Sequence, residues 1–563
     1  MTLRLLFDSR GGARGGRSEL QLLGRLGTVS VYSDAQAPDF VTAETRIFGR
    51  AFRRSDNAPC SQLAAEEEGA LQTGGAAWAA LYLWGNYLLA WARPGGQVSL
   101  FRSPVTGPAL YVTADRACAF THLELGHRAG IGLHTLDAAA IDAQLRYPLL
   151  RGPSTGIGGV SELLAGEVLE LGAASGPRMI WSPWDHVRRP PEPGDPDKLR
   201  RIVMSVVAAW GKSFGRIQLE LSGGLDSSIL AACLARTAAD WRGASLVTRR
   251  PDGDERVYSR AVACHLSAPL VEVMANEEAG DPLAPHGRPR VRPGGFGLIG
   301  DSDRKLLVEA QIFGAEAIFT GVGGDNIFGY LTSAAPVVDA YRFEGVGAAL
   351  RAASDLGRLT ETNMLEALRF AARRILRPPP RWPRDSRFLT SRFEAEASHP
   401  WFANAADASD GQRAYVGMLM RILPFLDGYD RAMEIPMIAP LLSQPLVEYG
   451  LTVPAWQWSE GGHDRSLARR AFRADLPPII LQRRTKGRLE SLFVPAYNEN
   501  RDRIGAFLSD GLLADLGIID RDAIRAAVGR PASVLDTDYV RILQIADMER
   551  WARSVAECEV RAQ

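Results

Sequence analysis

The sequence predicts a two-part protein. A β-rich α+β domain occupies residues 1–187, and a doubly wound α/β domain with helical additions occupies residues 199–563. Three observations predict it. Short apolar runs broken by Gly, Pro and Asn fill the chain to about residue 185, the pattern of half-buried strands and turns. The stretch Arg188-Arg189-Pro190-Pro191-Glu192-Pro193-Gly194-Asp195-Pro196 is proline-dense and charged. It suits neither a helix interior nor a central strand, so residues 188–198 read as a linker. Beyond it, apolar strands alternate with amphipathic helices, the rhythm of parallel βαβ units.

In the first part, Gln97–Arg102, Ala109–Thr113 and Glu167–Leu171 read as strands. The uncharged stretch from Gly74 to Ala92 is long enough to span a bilayer. Its internal Gly74, Gly75, Gly85 and Asn86 and its scattered aromatics instead predict a short helix or strand, a Gly85-Asn86 turn and a buried strand Tyr87–Trp91. After the linker come a strand Ile217–Leu221, a turn Ser222–Asp226 and a helix Ser227–Thr237 carrying Ile229, Leu230, Cys233 and Leu234 on one face. Ala244–Thr248, Leu270–Val273 and Glu316–Thr320 read as further strands, and Glu255–Leu266 as a helix. Residues 334–411 break this rhythm and read as an insertion, with a helix over Met364–Leu376 and the run Arg377-Pro378-Pro379-Pro380.

Composition narrows the function. The 563 residues hold 65 basic and 65 acidic side chains, so no net charge drives the chain to nucleic acid or to an anionic membrane. Five scattered cysteines lack CxxC spacing, which argues against a disulfide scaffold and a structural zinc site. The eight histidines form no HxH or HExxH pattern. The start, Met1 to Asp8, has too short an apolar run for a signal peptide, and the expected compartment is the reducing cytoplasm. Only four lysines occur (Lys198, Lys212, Lys305 and Lys486), so a lysine at a suggestive place is a choice against arginine.

Ser222-Gly223-Gly224-Leu225-Asp226-Ser227-Ser228 follows a strand and opens a helix. Its glycines let the backbone approach a phosphate, while Ser222, Ser227 and the helix N–H groups donate to it. Asp226 would repel bare phosphate but suits Mg²⁺, which takes carboxylate and phosphate oxygens together. Thr320-Gly321-Val322-Gly323-Gly324-Asp325 also follows an apolar strand and supplies a second acid, Asp325. Two strand-end acids of one parallel sheet converge at its carboxyl edge, where open α/β sheets bind ligands.

These two motifs resemble the synthetase domain of glutamine-dependent asparagine synthetase and its relatives, enzymes of the PP-loop (adenine nucleotide α-hydrolase-like) type. Further matches are Asp254-Glu255, Glu434-Ile435-Pro436-Met437-Ile438-Ala439-Pro440-Leu441 and Arg483-Arg484-Thr485-Lys486-Gly487. In the first part, Trp84-Gly85-Asn86-Tyr87, Arg102–Tyr111 and Leu163-Leu164-Ala165-Gly166-Glu167 resemble the family's glutaminase domain, an Ntn-hydrolase-like αββα fold. The resemblance implies an ATP site of Leu221, Ser222, Gly223, Gly224, Leu225, Asp226, Ser227, Val247, Thr320 and Gly321, with Mg²⁺ on Asp226 and Asp325. It implies Lys486 as the cation for pyrophosphate and developing charge. Glu434 either orients the amine or Lys486, or forms a structural ion pair with an arginine.

Two departures direct the reading. The glutaminase nucleophile is an amino-terminal cysteine, but Thr2 follows Met1 and the nearest cysteine is Cys60, so the domain is expected to persist as structure. At the turn position where asparagine-forming members carry Glu and β-lactam synthetases carry Tyr, Val322 can serve neither role. The runs Pro440–Glu448, Gly461–Phe472 and Arg-Arg-Thr-Lys-Gly resemble the lasso-peptide macrolactam cyclases. That resemblance implies adenylation of an Asp or Glu side chain of a lasso precursor peptide, then attack by the peptide's own amine. It also implies a leader-binding protein and a leader peptidase as partners. Small-molecule amide ligation and a non-catalytic peptide-presenting scaffold are the competing readings. His463-Asp464-Arg465 reads as a helix N-cap region, Tyr330 as packing, and Trp382, Trp401 and Phe402 as satellite core or a peptide groove.

Overall fold

The computed structural model describes residues 3–10, 20–35, 42–188, 190–249, 253–275, 281–285, 288–294, 299–403, 405, 407–484, 490–533 and 536–562. The first part is a pair of facing antiparallel sheets. One runs in the order Val160–Leu163, Leu110–Thr113, Cys118–Phe120, Leu6–Asp8, Val29–Ser33, Gln21–Leu26, Thr42–Ala43, the last two pairing in parallel. The other runs Arg178–Met179, Glu167–Glu170, Val98–Arg102, Leu83–Ala92, Thr45–Arg53. Leu5, Phe7, Val29 and Val31 of the first meet Phe48, Leu88, Val98 and Leu100 of the second in one buried cluster, as alternating side chains of two stacked sheets must.

The expected Gly85-Asn86 turn is absent. Leu83–Ala92 is one uninterrupted strand paired with Thr45–Arg53 over its whole length. Gly85 has φ +132, and a Cβ there would lie 2.3 Å from the Arg50 carbonyl oxygen. This glycine therefore marks a close backbone approach within a strand rather than a reversal. The uncharged residues before it continue a helix, Ala65–Tyr82, kinked at Gly75.

The second part holds a five-stranded parallel sheet in the order Leu270–Met274, Asp240–Val247, Arg216–Glu220, Ala317–Phe319, Met437–Ile438. Helices Leu225–Leu234, Arg256–Leu266 and Gly300–Phe313 connect its strands. The preceding helix, Pro196–Gly211, begins within the proline-dense segment: Asp195 caps it and Pro196 takes its first position, where a missing N–H costs nothing. Residues 334–411 supply helices Ala335–Glu344, Val346–Thr360 and Met364–Leu376 around an alanine-rich core.

The two parts share cores. Phe52 stacks on Trp84 at 4.4 Å, and both meet Trp210 edge-on, so the second antiparallel sheet packs directly on helix Pro196–Gly211. The carboxy-terminal helices return to the first part, where Trp551 and Ile545 join Ile141 and Leu145. Trp382 and Trp401 are 4% and 3% exposed, and Trp382 donates to the Pro148 carbonyl, so both are core side chains. Among the described residues no helix is long and apolar enough to cross a membrane.

Candidate active site

The two glycine-rich turns lie side by side at the carboxyl ends of neighbouring strands. Leu221 is buried and its N–H continues the pairing to Ala244. Gly223 then takes φ +70, and a Cβ there would lie 2.4 Å from the Tyr258 Cβ. Left-handed backbone and the absence of space both demand glycine. Gly224 starts the helix Leu225–Leu234 without a side-chain cap. The Ser222 Oγ accepts from the Gly224 N–H at 3.2 Å and lies 3.3 Å from the Ser227 Oγ. An uncapped helix N-terminus flanked by two hydroxyls is a ready receptor for a polyphosphate.

The second turn is shaped to fit the first. A Cβ on Gly321 would come 3.0 Å from the Ser227 backbone nitrogen, and one on Gly324 would come 2.2 Å from the Asp226 Cγ. Gly323, at φ +90, is pressed against Leu442. Thr320 is 3% exposed, and its N–H bonds the Ile438 carbonyl, which ties the turn to the edge strand. Its Oγ1 accepts from the Val322 N–H. Val247 ends its strand fully buried, with its carbonyl held by Ala275.

Asp226 and Asp325 converge, and the residue that joins them is Arg465. Its Nη1 lies 3.2 and 3.1 Å from the two Asp226 carboxylate oxygens and 2.7 Å from the Asp325 Oδ1. Its Nε donates to Asp464 at 2.7 Å. Burial would weaken the guanidinium's charge, but the three carboxylates outweigh burial and raise its pKa. Burial pushes Asp464 upward too, yet Arg465 and Arg469 hold its carboxyl below the usual range. The Arg465 guanidinium also stands 5.7 Å from the Tyr330 ring, which brings Tyr330 beside the cluster rather than into remote packing.

Arg469, one helical turn after Arg465, extends this network. It donates to Asp464 at 2.6 Å, to the carbonyls of Ile480 and Leu481 at 3.2 and 2.9 Å, and to that of Arg483 at 3.0 Å. Arg483 donates to the Gly223 carbonyl, pairs with Glu255 and covers the Tyr258 ring at 3.8 Å. The chain leading to residue 485 is thus clamped to the phosphate-type turn. Lys486 lies outside the described residues. His463-Asp464-Arg465 does precede a helix, Ser466–Ala471, but as an ion network and with Arg465 at φ +52.

Glu434 is not brought into this group. It pairs with Arg288 at 2.8 Å, the structural alternative. It lines a cavity of about 910 Å³ between the two parts, together with Ala315 and Glu316 at the entry of strand Ala317–Phe319. Asp226 and Asp325 stand at the opposite, carboxyl ends of the strands.

The residues present fit a magnesium nucleotide. The two turns offer donors for phosphate and two carboxylates that already meet at one positive charge. Among the described residues no further His, Cys, Asp or Glu completes a metal cluster. Asp226 and Asp325 would hold the ion, and its other ligands would be phosphate oxygens and water, the usual manner in which Mg²⁺ is held with nucleotides.

Asp464 and Arg465, expected as a helix N-cap region, are part of the site's ion network. One arginine among so many carries no mark of its own. The run Gly461-Gly462-His463-Asp464-Arg465, with Arg469 four residues later on the same helix face, was the available cue.

Comparison with known proteins agrees with this geometry. No curated protein matches the chain. The family described as asparagine synthase matches residues 198–553, a span that includes both glycine turns, Arg465 and Arg469. That match covers well over half of the chain, and the chain therefore belongs to the asparagine synthase family, ATP- and Mg²⁺-dependent, AMP-forming carbon–nitrogen ligases.

Proposed function

We propose that this ligase is a lasso-peptide macrolactam cyclase. The observation that carries the reading is the character of the second turn. Val322 stands next to the converging acids, and an aliphatic side chain can neither accept a proton from a separate amine nor bind ammonia. Chemistry there depends on a nucleophile positioned by its own substrate. A pre-folded peptide provides that, since tethering amine and acyl group in one molecule is worth about 7–11 kcal/mol.

In this reading ATP with Mg²⁺ supplies the activating group, held by the Ser222–Ser227 turn with Asp226 and Asp325. The helix N-terminus and the Ser222 and Ser227 hydroxyls orient the phosphates. A side-chain carboxylate of the peptide is adenylated with loss of pyrophosphate, and the peptide's amino terminus closes the ring with loss of AMP. Lys486 is assigned to the departing pyrophosphate, while the Glu434–Arg288 pair, at the other end of the sheet, is read as structural.

The first part is read as a glutaminase-like αββα domain kept as structure. Two observations support this. Its second sheet shares one core with the ligase part. Its nearest cysteine, Cys60, is 2% exposed, with its thiol pKa pushed up by burial. A leader-binding protein and a leader peptidase are the proposed partners.

The test is incubation of the full chain with Mg·ATP, the core peptide and the peptidase, read by mass spectrometry. A product lighter by one water, with AMP formed, supports the cyclase. ATP turnover that aminates a free amino acid, with no dehydrated peptide, supports a small-molecule ligase instead.

A further inference from the structure

The Arg465 guanidinium occupies a position from which one cation touches both Asp226 and Asp325. Its Nη1 is within 3.2 Å of three of their oxygens. Magnesium binds carboxylate oxygen at about 2.0–2.1 Å. An ion held by these same three oxygens would need the space that Nη1 holds, so guanidinium and metal exclude each other there.

Three further features bear on how that exclusion works. Arg465 is 5% exposed and Asp226 is buried with it, so this contact is made largely away from water. It sits at φ +52, a left-handed conformation that a non-glycine residue keeps only when its surroundings enforce it. Asp464 holds the opposite edge of the same guanidinium through Nε, and Asp464 is itself held by Arg469. Losing the Nη1 contacts would therefore leave Arg465 tethered at the rim of the site.

We propose that Arg465 is an exchangeable internal cation: it keeps Asp226 and Asp325 together without metal, and Mg²⁺ arriving with nucleotide displaces it toward the phosphates. The site thus disfavours free divalent metal and takes it up more readily with ATP. This rests on the assignment of Asp226 and Asp325 as the metal ligands.

The experiment is titration of the full chain with Mn²⁺ alone, followed by electron paramagnetic resonance of the free ion. If the bridged arrangement is favoured about tenfold over the open one, it weakens apparent metal affinity by about the same factor. Arg465→Met is expected to bind Mn²⁺ about tenfold tighter than wild type, and Arg465→Lys, which keeps the charge, to stay near wild type. Adding Asp226→Asn to Arg465→Met is expected to abolish the gain.

Equal Mn²⁺ affinity of wild type and Arg465→Met overturns the proposal. Arg465→Gln provides the same comparison if circular dichroism shows Arg465→Met unfolded. If both are unfolded, recovery of the fold by Mn²⁺ supports the exchange and no recovery contradicts it. Binding of a magnesium complex of a non-hydrolysable ATP analogue to wild type is measured alongside. No nucleotide binding contradicts the ATP site itself, whereas nucleotide binding with equal Mn²⁺ affinities contradicts only the exchange.

Discussion

Gly324 lies so close to Asp226 that a methyl group added to it would come within 2.2 Å of the Asp226 Cγ. The two turns are therefore matched parts, Gly321 and Gly324 of the second making room for Ser227 and Asp226 of the first. Gly324→Ala must push Asp226 aside or part the turns. A misplacement near 1 Å at a reacting site costs about 100-fold in rate, whereas overpacking costs about 1–3 kcal/mol of stability. AMP formation should fall by that factor while thermal unfolding shows a folded protein. Wild-type AMP formation by Gly324→Ala would show that the contact does not set the site.

Arg469 ties five partners together: the Asp464 carboxylate and carbonyl and the carbonyls of Ile480, Leu481 and Arg483. A lysine has one ammonium and cannot span that fork. Removing one partner of a buried ion pair costs about 3–5 kcal/mol. Arg469→Met should lose stability of that order in urea unfolding, with Arg469→Lys recovering only part. Equal stability of Arg469→Met and wild type would remove the clamp from the account.

Glu162 is 1% exposed and meets three arginines, Arg102 at 2.5 Å, Arg151 at 2.9 Å and Arg292. Burial alone would raise its pKa, but the three guanidinium charges reverse that and lower it. Arg151 continues to Asp427 at 2.7 Å, so the cluster joins the two parts of the chain. Glu162→Gln removes the carboxylate shared by three arginines, leaving Arg151 only the Asp427 carboxylate, and should cost about 3–5 kcal/mol at neutral pH. Chemical unfolding at fixed pH measures this, and an unchanged midpoint would contradict it.

Glu167 behaves oppositely. Burial pushes its carboxyl up to about 7, against the Leu164 N–H and Arg102, which lower it. The unfolded chain releases this proton near pH 4.3, the folded chain only near 7, so between those values the native state binds more protons. Stability from this group is fully present below about pH 4.3 and is lost as pH rises toward 7. Glu167→Gln should be more stable than wild type at pH 8, by up to about 4 kcal/mol, and no more stable at pH 4. A variant advantage that does not grow with pH would contradict the assignment.

The sheet was readable because its strands are short apolar runs closed by glycine turns. Ile217–Leu221 and Glu316–Thr320 differ from the observed strands by a residue at either end. Gly85 was misread because a glycine inside a strand and a glycine in a turn look alike until a neighbouring backbone is in place. The convergence of Asp226 and Asp325 followed from topology alone. Arg465 did not, because its role comes from a left-handed backbone and from contacts more than a hundred residues away. Glu434 shows the reverse: an acid before a proline within a matched segment, yet paired with Arg288 at the other end of the sheet.

The central claim is that Asp226 and Asp325 together serve AMP-forming activation of a peptide carboxylate. The most direct test labels the peptide's acidic side chains with ¹⁸O and follows the label in the full chain with Mg·ATP and its separate variants Asp226→Asn and Asp325→Asn. The account predicts that wild type yields a dehydrated peptide and AMP carrying one ¹⁸O, and that each variant loses both. Unlabelled AMP, ADP in its place, or full activity in either variant would contradict it.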